Sequence, residues 1–182
     1  MKGLIVLLIA LASFSIQAQP KQISWMTLED AIVAQQQEPK KIMVFIYAEW
    51  CGYCKKLDSL TLTNQDVVNY VSEHFYAVKF NGESNDTITY KNKEFKNPNY
   101  DPSIESEPNA LHEFAEFVGL RSYPTLAFTN EQGNLIVPIG GYKDPKKLEI
   151  YLKLIGEDIY KTIATKEDFK EYLENFKPQF KS

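Results

Sequence analysis

The sequence predicts an α/β domain, and three observations point to it. Apolar, β-branched runs alternate with capped helical segments. A late pair of strand-like runs is separated by a short turn. The only two cysteines, Cys51 and Cys54, stand where a strand gives way to a helix.

In chain order, "QISW" is short and strand-like. "TLEDAIVAQQQ" starts on Thr27 with Asp30 three residues later, a helix-capping pattern, and Pro39 ends the segment. "KIMVFIY" is a nearly continuous apolar run, which predicts a strand covered on both faces. The cysteine pair comes immediately after it, and "CKKLDSL" opens helical periodicity. "TNQDVVNYVSEHF" repeats the capping pattern with Thr63 and Asp66, and "FYAVKF" is a second buried strand. Residues 81–109 are polar and rich in Asn and Pro, with only "TITY" and "KEF" strand-like. They predict an insertion carrying a small hairpin around Asn92, not a domain. "ALHEFAEFVGL" is a short amphipathic helix, and "PTLAFTN" and "NLIVPIG" flank "EQG" as an antiparallel hairpin. "DPKKLEIYLKLI" has Asp144 as cap and Pro145 at its first helical position. The tail adds "TKEDFKEYLENF", capped by Thr165, with Phe169, Tyr172 and Phe176 expected on a buried helix face.

A chain of 182 residues, 44% of them hydrophobic, accommodates one core of moderate size and needs no second domain. The formal net charge is −4, and Arg121 is the only arginine among twenty basic residues. Such a chain lacks the forked donors that read phosphates and base edges, so nucleic acid is not an expected partner. Residues 1–18 are different material: Lys2, the apolar run "GLIVLLIALASFSI", then "IQA" before Gln19. This is the layout of a secretory signal peptide cleaved after Ala18, leaving 19–182 as the mature domain in the periplasm or outside the cell. A membrane anchor is the competing reading, because the run sits at the lower edge of spanning length.

Export changes the meaning of the cysteines. Disulfides persist outside the cytoplasm, but a bridge from Cys51 to Cys54 closes a very short loop and stabilises little as a staple. Zinc wants four ligands in fixed geometry, and His74 and His112 have no ligand-like spacing to the pair, so no metal site is expected; both histidines read as surface or helix-end residues. Cu(I) is the better metal alternative, since thiolates suit a soft ion. A reactive pair at a strand-to-helix junction remains the leading reading.

Here the chain resembles the thioredoxin superfamily. "AEWCGYCK" is similar to its active-site segment, "GLRSYPT" to its second signature, and "IGGY" to the glycine turn beside the site. The resemblance covers roughly residues 22–155 outside the insertion. It implies a thioredoxin-like fold: a central mixed sheet flanked by helices, here with the insertion 81–109 ahead of the helix preceding a cis proline, and a helical extension over 157–182. It implies an exported thiol-disulfide oxidoreductase, a reductase or isomerase of protein disulfides, with no cofactor beyond the Cys51/Cys54 pair. Cys51 would be the exposed attacking thiolate and Cys54 the buried resolving thiol. Trp50, Tyr53, Tyr123, cis Pro124 and Gly140 would face the substrate. Electrons would come from a membrane reductant conductor, and the chain would act as a monomer. The alternative is a peptide- or Cu(I)-binding module of the same fold. There is one departure: many thioredoxins carry a buried carboxylate six residues before the first cysteine, where this chain has Phe45. The lysine partner is kept as Lys79, and Glu49 is the nearest alternative acid, so proton transfer is assigned to Glu49 and Lys79.

Overall fold

The computed structural model describes residues 21–104 and 107–182; the segment 1–18, read as a signal peptide, lies outside them. Strand β2 (Lys41–Tyr47) is buried along nearly its whole length, as its unbroken apolar run predicts. Alternate side chains go to opposite faces of a strand. Met43 and Phe45 therefore enter one core, with Val67, Val71, Leu148 and Leu152, while Ile42, Val44 and Ile46 enter the other, with Leu28, Ala31 and Phe114.

Around β2 stand β1 (Trp25–Met26), β3 (Phe75–Asn81), β6 (Thr125–Thr129) and β7 (Leu135–Gly140), in the order β1-β3-β2-β6-β7. β3 runs parallel to both β1 and β2; β6 is antiparallel to β2 and to β7. The sheet is mixed, as expected. Helices α1 (Leu28–Gln37) and α4 (Glu113–Phe117) bury Leu28, Ala31, Phe114 and Ala115 in the core of Ile42 and Val44. Helices α2 (Gly52–Lys56), α3 (Gln65–His74) and α5 (Pro145–Gly156) contribute to the core of Met43 and Phe45. Caps at Thr27, Asp144 and Thr165 form where the sequence places them, the last as a full capping box with Asp168. The segment after β3 carries the hairpin of β4 (Ile88–Tyr90) and β5 (Lys93–Phe95), whose turn residues Lys91 and Asn92 both have positive φ.

Three expectations need correction. Helix α3 is capped by Asn64, not Thr63: Asn64 Oδ1 accepts from the amides of Asp66 and Val67. The Thr63 hydroxyl is already committed, donating to the carbonyl of Ser59 at 2.7 Å. Phe169 and Tyr172 in helix α6 (Lys166–Asn175), and Phe176 just after it, are only half-buried. This face meets α5 through a hydrogen bond from the Tyr172 hydroxyl to the Ile150 carbonyl. The buried aromatic of the tail is Phe180, beyond the helix. His112 is a helix end, the cap of α4, but it is fully buried, accepting from the Phe114 amide through Nδ1.

Lys41, at the start of β2, is 5% exposed and ties the β6–β7 turn to the segment after α5. Its ammonium contacts Glu131 at 2.6 Å and Asp158 at 2.9 Å. Burial alone would raise both carboxyl groups, but hydrogen bonds from Lys41 outweigh it and both lie below the usual carboxylate range. A carboxyl group whose folded-state pKa is depressed contributes stability that is present above its unfolded pKa and lost as pH falls through the folded value. The urea midpoint should therefore fall as pH drops from about 5 toward about 3. Lys41→Met should flatten that dependence, because the carboxylates then lack the cation that depresses them.

Candidate active site

The turn after β2 delivers both cysteines to the end of the sheet. The Cys51 amide donates to the Ala48 carbonyl at 3.1 Å, and Cys51 is the N-cap of α2. Its Sγ accepts from the Cys54 amide at 3.0 Å. Helix α2 continues without a break into a π-turn over Leu57–Thr61. Cys51 and Cys54 form a disulfide with Cα atoms 5.2 Å apart. Their residue exposures are 4% and 2%, so the expected contrast between an exposed and a buried cysteine is absent in the disulfide form. Half-buried Tyr123 and Tyr142 pack against the core cluster that contains both cysteines. The asymmetry lies in backbone position: only Cys51 sits at the helix start, where unpaired N–H groups favour a thiolate.

The Tyr123–Pro124 peptide is cis, and Pro124 is buried at the start of β6. The Pro124 carbonyl accepts from the amide of Gly141 at 2.7 Å. Gly141 has φ of +79°, a conformation that favours glycine; Gly140 is the last residue of β7 and pairs in register with Thr125. The turn thus meets Pro124 through Gly141, one residue past the position singled out in the sequence.

Trp50 and Tyr53 are exposed, at 40% and 65%. The Trp50 ring meets Tyr123 edge to face with centroids 5.7 Å apart, and Tyr53 leans on Tyr142. What orients Trp50 was not legible in the sequence. Its Nε1–H donates to Glu83 Oε2 at 2.9 Å, and the same oxygen accepts from the Asn109 amide at 3.0 Å. Glu83, 8% exposed, therefore joins the two ends of segment 81–109 to Trp50. Burial first, then the Glu83 carboxylate, pushes the Tyr123 phenol up. Beside it, Gly82 allows the close approach: a Cβ there would lie 2.6 Å from the Tyr123 hydroxyl.

Behind the disulfide lies a cavity of about 160 Å³ lined by Phe45, Tyr47, Glu49, Cys54, Asp58 and Lys79, among others. Phe45 is buried where a carboxylate was sought, and Lys79 stands opposite it on β3. The Lys79 ammonium lies 5.8 Å from the Phe45 ring centre and 5.3 Å from that of Tyr47. It pairs with Asp58 at 2.7 Å. Glu49 is exposed and lines both this cavity and a smaller one beside Trp50. Asp58 was missed, although its place four residues after Cys54 puts both on one helix face. Among the described residues, no three His, Cys, Asp or Glu side chains cluster to hold a metal ion.

The chain thus combines a mixed sheet, a disulfide across a helix start and a cis proline directly before β6. The thioredoxin-like domain family matches residues 28–156. The chain belongs to that family. No curated protein matches the chain by sequence. Among solved structures, a thioredoxin-fold protein from Helicobacter pylori is 22% identical with a TM-score of 0.53, over 75% of this chain and 81% of that one. DsbH oxidoreductase is 16% identical with a TM-score of 0.53, over 79% and 92%. A thioredoxin from Thermus thermophilus is 14% identical with a TM-score of 0.53, over 75% and 88%. At these identities the likeness establishes the fold.

The Glu83 junction has a measurable signature. Glu83→Ala should leave two donors without their acceptor, costing on the order of 1–3 kcal/mol. It should also free the Trp50 ring, seen as increased acrylamide quenching of tryptophan fluorescence. Glu83→Gln retains a carbonyl acceptor and should stay close to the parent in both measurements.

Proposed function

We propose that the protein is a thiol-disulfide oxidoreductase that reduces or isomerises protein disulfides outside the cytoplasm. The observation that carries this reading is the Cys51–Cys54 disulfide across the N-terminus of α2, with Cys51 as the capping residue. In the reduced protein, Cys51 thiolate attacks one sulfur of a substrate disulfide. A mixed disulfide forms and the other substrate sulfur leaves as a thiolate. Cys54 then attacks Cys51 Sγ, the second substrate sulfur leaves, and the Cys51–Cys54 bond re-forms. The substrate gains two electrons and the protein loses two. For isomerisation, the freed substrate thiolate attacks elsewhere before Cys54 acts.

Exposed Trp50 and Tyr53 with half-buried Tyr123 form the rim that a substrate segment would meet, and their aromatic surface suits an unfolded or extended chain; Pro124, next after Tyr123 in the chain, lies buried. Export is supported by the three-part pattern of residues 1–18. Return to the dithiol form requires an external two-electron donor, and a membrane conductor of thiols meets that need on the outer side of a membrane.

Iodoacetamide should alkylate Cys51 of the reduced protein faster than Cys54. While both thiols titrate above the working pH, each unit by which the Cys51 pKa lies below that of Cys54 gives about tenfold more thiolate. Cys54→Ser should accumulate mixed disulfides through Cys51 and lose multiple-turnover reduction of a protein disulfide. Equal alkylation rates, or faster modification of Cys54, would overturn the roles. Stoichiometric binding of Cu(I) without turnover on disulfides would favour the copper-carrying alternative.

A further inference from the structure

We propose that Asp58 is the proton-relay residue for Cys54, taking up the proton that Cys54 must lose before it resolves the mixed disulfide. The inference rests on the redox reading above and assigns a role to a residue outside the cysteine motif.

The need for a relay arises from burial. Cys54 is 2% exposed, and burial disfavours the charged form of a thiol, so resolution requires something nearby to accept its proton. The cavity behind Cys54 holds the candidates. Lys55 and Lys79 are cations and cannot accept. The Tyr47 phenol is pushed up by burial first and by the Glu49 carboxylate next, so at neutral pH it remains a donor. Two carboxylates are left, Glu49 and Asp58.

Geometry separates them. Asp58 lies four residues after Cys54 on one continuous helical segment, which places the two on the same face. Its Oδ2 is anchored at 2.7 Å by Lys79, which projects from β3 across the cavity. Among the described residues Glu49 pairs with no cation in this way: it stands exposed on the turn before the cysteines, beside the Tyr47 hydroxyl, and also lines the cavity beside Trp50. On the outer side, Asp58 borders a second cavity that Lys21 also lines, so a proton taken from within can leave to solvent. The inner cavity, at about 160 Å³, has room for a few water molecules at about 30 Å³ each, enough to bridge the thiol and the carboxylate.

The step balances without a further reactant. The Cys54 S–H proton passes through water to Asp58 as the Cys54 sulfur attacks Cys51 Sγ. The Cys51–Cys54 bond forms, the Cys51–substrate bond breaks, and the substrate sulfur leaves as a thiolate that is protonated by solvent. Asp58 then returns its proton to water.

The test uses the full reduced chain and 5,5′-dithiobis(2-nitrobenzoate) in stopped flow. Attack by Cys51 releases one thionitrobenzoate and resolution by Cys54 releases the second. Asp58→Asn should leave the first phase unchanged and slow the second by about tenfold or more near neutral pH, with recovery as pH rises. Asp58→Glu should restore the second phase. Lys79→Gln, which leaves the carboxylate unanchored, should slow it by a smaller factor, and it serves as the test if Asp58→Asn does not fold. An unchanged second phase in folded Asp58→Asn, or in Lys79→Gln, overturns the inference. So does slowing by Glu49→Gln alone. Failure of the parent protein to release the second equivalent at all would instead overturn the redox reading.

Discussion

Strand β2 has to bury both of its faces, and the site depends on that constraint. A strand with apolar side chains on both sides needs helices above and below and hydrogen-bonded neighbours at both edges. Here β3 and β6 supply the edges. The strand is thereby fixed in register, and the chain beyond its last residue emerges at a defined point. That chain is Ala48–Cys51. The neighbour on one side carries Lys79 opposite Phe45, and the neighbour on the other begins at Thr125, directly after Pro124. Burial of one seven-residue strand thus brings the cysteines, the cis proline and the lysine to one end of the molecule.

Segment 81–109 is tied to that same end. Its chain leaves β3 at Gly82 and Glu83 and returns at Asn109, and Glu83 holds both the return point and the Trp50 indole. A buried carboxylate is costly unless its lone pairs are occupied, so this junction is stable only with both donors in place. The rim at Trp50 is therefore not a free surface tryptophan. Its orientation is coupled to a segment that packs its own residues, Ile88, Tyr90 and Phe95, into the core of Phe114. The orientation of Trp50 and the anchoring of segment 81–109 are linked through one side chain.

Much of this was legible in the sequence, and the parts that were not have physical reasons. The unbroken run of β2, the cap at Asp144 with Pro145, the Asn92 turn and the strand-to-helix position of the cysteines are local signals, each set by a few neighbouring residues. Glu83 carries no local signal, because its partners lie 33 and 26 positions away and are brought to it only by the fold. The cap of α3 was misplaced because Thr63 and Asn64 both suit the role, and the choice falls to a Thr63 bond back into a π-turn that periodicity does not reveal. Phe169, Tyr172 and Phe176 have the spacing of a buried face, but spacing cannot say how many layers will cover it. Asp58 could have been found from its helical spacing to Cys54, had the acid been sought on the helix and not on the strand.

Where the acid sits is also a matter of stability. A carboxylate at position 45 would lie in the core, shut away from water at 1% exposure, and would need a partner there to offset its desolvation. Phe45 instead packs with Trp25 and Tyr47 and stabilises the strand on which the site depends. Asp58 stands at the mouth of the same cavity with its side chain about one-third exposed, at 37%, and its cation alongside, so it keeps the contact with water that a carboxylate at position 45 would lack. Moving the charge from strand to helix edge separates two demands that a single buried carboxylate would have to meet together: holding the core and exchanging a proton. The π-turn that begins at Leu57 lies at the same place, and such single turns within helices occur frequently at functional sites. The turn belongs to the same arrangement, because Asp58 is its second residue and the one that reaches Lys79.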